Sequence, residues 1–203
     1  MTLLGFGEGN LVFFDFEFSY VSIIGASISV FLGIVMTQSG FDKIMEWIGR
    51  TEQYEDKSHF ALMGYAGTGK STLVSDVIGE LMELGISRDK IGLAAPTHAA
   101  AKLLGRLGDK AAITVASLMA MQKDINLAAY TSGKAGFISD GDVSLAMKAL
   151  RGGYIIIDES SMINREQLED MLKLFDHYSI NAIYMGDPAQ LPPVGEMSSA
   201  AFK

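Results

Sequence analysis

The sequence predicts an α/β fold: a parallel sheet with helices on both faces, preceded by an apolar N-terminal segment. Three observations carry this. From Phe41 onward, short apolar runs of strand length alternate with amphipathic stretches of helical period. One run leads through a glycine-rich loop into a helix. Another ends in two adjacent carboxylates, where a parallel sheet presents its functional edge.

Composition sets the bounds. The chain has 203 residues, 49% of them apolar and 20% charged, with a mean hydropathy of +0.25. That is too much apolar material for disorder throughout. Cysteine is absent, which excludes a disulfide framework, a thiolate zinc site and a cysteine nucleophile. The three histidines, His59, His98 and His177, lack metal-ligand spacing. A net charge of −8 excludes bulk binding to nucleic acid or anionic membrane by charge alone, so any such contact is local.

Residues 1–36 read as an apolar extension and 37–203 as one domain. No charge occurs from Phe18 to Phe41, while Glu8, Asp15 and Glu17 precede that stretch and Lys43 is the first basic residue. The start has no basic region of the kind a signal peptide needs. Three readings are open for the extension: upstream sequence translated ahead of a start at Met36, a membrane segment within residues 18–41, or a packed strand or helix pair. The expected location is the cytoplasm, a host's if the source is viral, with membrane anchoring as the alternative.

The elements follow in order. Phe41, Ile44, Met45 and Ile48 share one face of a helix. Residues 59–64 form an apolar strand, and Ser71 to Leu84 a helix. A strand at 91–96 is stopped by Pro96, and a helix runs from Thr97 to Leu107. A short strand and helix occupy 112–121. Residues 122–142 are polar, glycine-bearing and irregular, a small insertion. The strand 154–158 is fully apolar up to its carboxylates. Arg165 to Phe175 is a helix and 181–187 the last strand.

Gly64-Tyr65-Ala66-Gly67-Thr68-Gly69-Lys70-Ser71 fits G-x-x-x-x-G-K-[ST], and it sits between strand and helix as that motif requires. Glycines let backbone N–H groups curl around an anion, and the helix N-terminus adds positive potential. Gly64, Ala66, Gly67, Thr68, Gly69, Lys70, Ser71 and Thr72 are the candidate nucleotide-binding residues. Lys70 reaches the β- and γ-phosphates, and the Ser71 hydroxyl is a ligand for Mg²⁺. Asp158 and Glu159 end the apolar strand 154–157; Asp158 is the second Mg²⁺ ligand, and Glu159 the residue that orients or deprotonates the attacking water. The expected cofactors are ATP and Mg²⁺.

Three further stretches narrow the class: Ala95-Pro96-Thr97-His98-Ala99-Ala100-Ala101-Lys102, Asp158-Glu159-Ser160-Ser161-Met162, and Gly186-Asp187-Pro188-Ala189-Gln190-Leu191-Pro192-Pro193-Val194. Together they resemble motifs Ia, II and III of superfamily 1 helicases, in the RecD-like branch (1B), with the phage Dda helicases as the nearest likeness. The resemblance covers about residues 37–203. It implies a P-loop NTPase of RecA-like fold, the ATP-hydrolysing motor domain of a 5′→3′ DNA helicase acting on single-stranded DNA. It implies that Gln190 senses the γ-phosphate, so that Lys70, Glu159 and Gln190 are the candidate catalytic residues. It places Pro96, Thr97 and His98 on the single strand. A hydroxyl, helix N–H groups and a ring can grip a phosphate and a base without much net charge. Thr114-Val115-Ala116-Ser117-Leu118 resembles the next motif, adding Thr114 and Ser117 as candidate DNA contacts, although Ala116 stands where the family has histidine. Tyr130 and Phe137 are candidates for an apolar wedge that splits the duplex.

The resemblance departs in two places. The adenine-reading glutamine of the family would fall at Thr37, and Gln38 is one residue away. The second RecA-like domain of the family, with its arginine fingers, is expected as a partner in cis or in trans. The alternative reading is a self-contained ATP and single-strand binding module with negligible turnover, or half of a two-chain helicase. A P-loop kinase or a membrane-anchored transport ATPase fits less well, because neither needs the segment at 186–194.

Overall fold

The computed structural model describes residues 10–12, 39–51, 59–64, 69–119, 121–123, 137–139, 145–187 and 189–190. Strand β1 (Asn10–Val12) is followed by helix α1 (39–51) and strand β2 (His59–Met63). A 3₁₀ turn at Lys70–Thr72 opens helix α2 (Leu73–Glu83), then strand β3 (Ile91–Ala95) and helix α3 (His98–Leu107). Strand β4 (Ile113–Thr114) leads into helix α4 (Val115–Leu118), then strands β5 (Met121–Lys123) and β6 (Phe137–Ser139) and helix α5 (Leu145–Ala149). Strand β7 (Tyr154–Ile157), helix α6 (Arg165–Tyr178) and strand β8 (Asn181–Gly186) complete the described order.

The main sheet has the order β1-β2-β8-β7-β3-β4, and every pairing in it is parallel. Strand alternation divides the core in two. Phe60, Leu62, Ile156, Ile183 and Met185 face α1, α2 and α3. Ala61, Met63, Ile155, Ile157, Ala182 and Tyr184 face α4, α5 and α6. Helices therefore cover both faces, which is why the strands read as continuous apolar runs rather than alternating ones. Trp47 of α1 is only 1% exposed, with its ring 5.6 Å from Phe60 and 6.2 Å from Tyr154. A side chain of that size removed from a core costs about 3–5 kcal/mol.

Several expectations need adjustment. The helix expected from Ser71 begins as a 3₁₀ turn, because the Thr72 N–H bonds back to the Gly69 carbonyl at 3.0 Å and tightens the first turn. The α1 face centres on Ile44, Trp47 and Ile48, while Phe41 and Met45 are only partly buried. Helix α6 continues past Phe175 to Tyr178 and stops at Ser179 in the left-handed region (φ 56°). The expected irregular stretch at 122–142 contains an antiparallel pair, Met121–Lys123 against Phe137–Ser139. Its polar sequence lacks the alternation that marks a half-buried strand, so periodicity could not reveal it. Among the described residues no helix is long and apolar enough to cross a membrane. Apart from β1, residues 1–38 lie outside the described set.

Candidate functional site

The chemistry gathers where β2, β8 and β7, three neighbours in the sheet, reach their carboxyl ends. Adjacent strands lie about 4.8 Å apart, so these ends fall within roughly 10 Å. The Gly64 N–H bonds to the Gly186 carbonyl at 3.1 Å and carries the β2–β8 ladder one step further. Gly69 turns with φ 83°, a backbone region open to glycine. Its carbonyl accepts from the Thr72 N–H at 3.0 Å and from the Thr72 hydroxyl at 2.6 Å. The Lys70 ammonium folds back and donates to the Gly64 carbonyl, closing the mouth of the loop.

Burial lowers the pKa of Lys70, and the carboxylates of Asp187, Asp158 and Glu159 oppose that shift in that order. Each of these acids lies on β7, β8 or the turn beyond. The lysine therefore stands partly desolvated, in a ring of negative charge, at the mouth of a glycine loop. A cation so placed interacts with an incoming phosphate more strongly than it would in water.

The acidic pair is held by main chain on both sides. The Asp158 N–H bonds to the Ala94 carbonyl of β3 at 3.0 Å, and Asp158 Oδ1 accepts from the Glu159 N–H at 2.9 Å. Glu159 itself is left-handed, with φ 54° and ψ 31°. For a residue with a Cβ that costs about 1–2 kcal/mol. The turn Ser160–Met162 offsets this: the buried Ser160 hydroxyl donates to the Met185 carbonyl at 2.7 Å, and Met162 N–H returns to the Glu159 carbonyl at 3.0 Å. Ser161 donates to Gln190 Oε1 at 3.1 Å and ties motif II to motif III. Asp187, 5% exposed, organises that second loop, its Oδ1 accepting from the Ala189 N–H at 2.9 Å and its carbonyl from the Gln190 N–H at 3.2 Å.

The donor set suits a hard cation. Asp158 presents a carboxylate beside Lys70, the oxygen donor type that Mg²⁺ takes alongside phosphates and water.

The next two strands along the same edge carry the other predicted residues. Ala95 of β3 pairs with Thr114 of β4, so Pro96–His98 and Thr114–Ser117 leave the sheet side by side. Thr97 caps α3, its side chain accepting from the Ala100 N–H at 3.2 Å, and His98 is exposed. Thr114 is 6% exposed and caps α4, accepting from the Ser117 N–H at 3.1 Å with the two hydroxyls 2.8 Å apart. Its hydroxyl is thus occupied, and Ser117 is the outward-facing group of the pair.

Of the sequence-predicted residues, Gly64, Gly69, Lys70, Thr72, Asp158, Glu159 and Gln190 come together on the β2–β8–β7 side. Ala66, Gly67, Thr68 and Tyr130 lie outside the described residues, as do the side chains of Ser71 and Phe137. Sequence reasoning missed Asp187 as a charge partner of Lys70. The signal was present, an acid directly after an apolar strand, as at Asp158. It also missed Ser160 and Ser161, whose partners lie 25 and 29 residues away.

The chain is similar to several known proteins. The AAA domain family matches residues 52–202. An uncharacterized protein, R530, of Acanthamoeba polyphaga mimivirus is 31% identical over 175 residues, covering 79% of this chain and 33% of that protein. The ATP-dependent DNA helicase dda of Enterobacteria phage T4 is 33% identical over 148 residues, covering 73% of this chain and 31% of that protein. Bacteroides Pif1 shares the fold. Its complex with ADP-AlF4 superposes with a TM-score of 0.52 at 23% identity, over 78% of this chain and 34% of that one. Its complex with ssDNA gives 0.51 at 21%, over 77% and 33%. The chain spans about a third of the length of the relatives it matches.

Proposed function

The chain belongs to the AAA domain family, as an N-terminal RecA-like domain of the superfamily 1B helicase type, and we propose that it is the ATP-hydrolysing motor domain of a DNA helicase that works 5′→3′ along single-stranded DNA. The observation that carries this reading is the placement of Lys70 at the mouth of the glycine loop, facing Asp158, Glu159 and Asp187 from neighbouring strand ends. Two relatives support it: the phage protein is an ATP-dependent DNA helicase, and Bacteroides Pif1 was crystallised with ADP-AlF4 and with ssDNA.

In this reading the loop N–H groups and Lys70 hold the β- and γ-phosphates of ATP. Asp158 and Ser71 hold Mg²⁺, which when bound neutralises charge on the phosphate oxygens. Glu159 aligns a water with the γ-phosphorus and takes its proton as the new P–O bond forms and the bond to ADP breaks. Its left-handed backbone fixes the carboxylate, at an energetic cost that the Ser160 and Met162 bonds offset. Gln190, held by Ser161, stands where the γ-phosphate would be sensed. Pro96, Thr97, His98 and Ser117 receive the strand, with Thr114 positioning Ser117. The Asp158 N–H bond to Ala94 links the two sites, since Ala94 precedes Pro96 by two residues on β3. A second RecA-like domain, in cis or in trans, would supply the opposing cation for the transition state.

The test is phosphate release from Mg·ATP with and without an oligo-dT single strand. The reading expects hydrolysis that rises with the strand once the second RecA-like domain is present in cis or in trans. Nucleotide binding with no hydrolysis under either condition would leave only a nucleotide-binding module.

A further inference from the structure

Helix α3 carries a basic face of which the contacts above use only the first residue, His98. His98 begins the helix, and Lys102 and Arg106 follow at four-residue steps, so the three form one stripe. The loop after the helix lies hard against it: a methyl group at Gly105 would stand 2.8 Å from the Lys110 carbonyl oxygen and 3.2 Å from the Ala112 nitrogen. That approach shapes an open trough of about 790 Å³, with Ala101, Gly105, Ala111 and Ala112 among its lining. Its basic lining is Lys102, Arg106 and Lys110, with the His98 ring at one end, and its one acid among the described residues is Asp109. Asp109 is paired with Arg88 at 3.5 Å, and Lys110 donates to the Arg88 carbonyl. Lys102 and Arg106 make no ion pair among the described residues.

Lys102 and Arg106, aligned and without an ion-pair partner among the described residues of a chain of net charge −8, suit an anionic occupant. The charges are spread along a line rather than around a point. From His98 to Arg106 the helix rises about 12 Å, room for more than one phosphate of a single strand. Beyond His98, the described lining offers charge and small side chains and no Phe, Tyr or Trp, so the trough is built for backbone more than for bases. We infer that this trough grips the phosphate backbone of the nucleic-acid strand, continuing from His98 through Lys102 and Arg106 down the flank of the domain. The inference rests on the reading that places the strand at Thr97 and His98. It adds a sequence-independent contact that the motifs do not contain.

The experiment uses the whole 203-residue chain. The affinity of a labelled 15-nucleotide dT strand is measured by anisotropy between about 50 and 200 mM salt, for wild type and for Lys102→Ala/Arg106→Ala. A control, Lys43→Ala/Lys173→Ala, removes the same charge from α1 and α6. Mg·ATP affinity is measured in parallel. For the trough variant the slope of log K against log salt becomes shallower by about 1.4, two contacts at about 0.7 each for a single strand. The loss is equal for a mixed-sequence strand, and the control and the Mg·ATP affinity are unchanged. A wild-type slope in the trough variant, or an equal loss in the control, overturns the trough while the strand reading stands. Polyglutamate competing as well as the oligonucleotide would make this a site for an acidic protein segment and overturn it too. A wild-type chain that binds no oligonucleotide brings down the strand reading, and the trough with it.

Discussion

Two stretches of the same sheet edge are built on opposite plans. At the ends of β2, β8 and β7, polar groups are locked by hydrogen bonds within the loops and, for Ser160 and Ser161, between loops 25 and 29 residues apart. Ser160 reaches Met185, Ser161 reaches Gln190, Asp158 takes the Glu159 N–H, and Lys70 closes on Gly64. At the ends of β3 and β4, the helix caps satisfy themselves locally, Thr97 with Ala100 and Thr114 with Ser117. The cations beyond them, Lys102 and Arg106, project outward. In the proposed reading the difference follows from the task each side would have. Aligning a water with a phosphorus atom tolerates errors of only a fraction of an ångström, so the site must be over-determined. Gripping a mobile polyanion needs charge and reach, and a rigid contact would oppose movement along it.

The largest effect that can break this comparison is at Glu159. Glu159→Gln keeps the side-chain volume but cannot take a proton. Mg·ATP binding should persist, while hydrolysis in the presence of the dT strand falls by about 10²–10⁴, the usual contribution of a general base. If binding is lost instead, Glu159 belongs to the scaffold and the nucleotide side is misassigned.

A pair of glycines sharpens the contrast at the level of packing. A methyl group at Gly79 of α2, on the nucleotide side, meets nothing within 4 Å, whereas at Gly105 of α3 it meets backbone at 2.8 Å. Helix propensity alone favours alanine at both by about 1 kcal/mol. Gly79→Ala should therefore raise the melting temperature by about 2–4 °C. Gly105→Ala should lower it, since the clash is with main chain, and should weaken strand binding without changing Mg·ATP affinity. Equal stabilisation of both variants would mean that the loop 109–112 does not rest on α3.

The smallest expected effect separates the two ends of β2. His59, at the amino end, packs against the rings of Phe175 and Tyr184 and stands 3.9 Å from Asp176. Burial lowers its pKa below the usual 6.5, and Asp176 only partly resists. The unfolded chain then binds the proton more readily than the folded one. Stability should fall as pH drops from 6.5 towards the folded pKa, by at most about 1.4 kcal/mol per pH unit for one group. His59→Gln should flatten that slope in urea titrations at successive pH values. An unchanged slope would mean that His59 does not carry the acid sensitivity.

How much of this was legible in the sequence follows the same division. The glycine loop and the acidic pair were readable because their chemistry fixes consecutive residues at strand ends. The parallel sheet was readable because its strands are apolar on both faces. Trp47 was passed over because the chosen helix stripe ran through Phe41 and Met45, and only the packing against Phe60 and Tyr154 shows which face is inward. The left-handed backbone of Glu159 is imposed by bonds to residues 160–185, which no local pattern encodes. The stripe on α3 has helical spacing in the sequence. Its meaning as a trough depends on the loop returning over Gly105, a tertiary contact.

The central claim is that Lys70 stands in a carboxylate-lined corner as the charge partner of a nucleotide's phosphates. It is tested most directly by equilibrium titration of Mg·ATP into wild type and Lys70→Ala, with the melting temperature of each followed in parallel. Saturable binding that stabilises the wild type, with neither binding nor stabilisation in the variant, is the result predicted. A variant that binds and is stabilised as much as wild type would contradict the account.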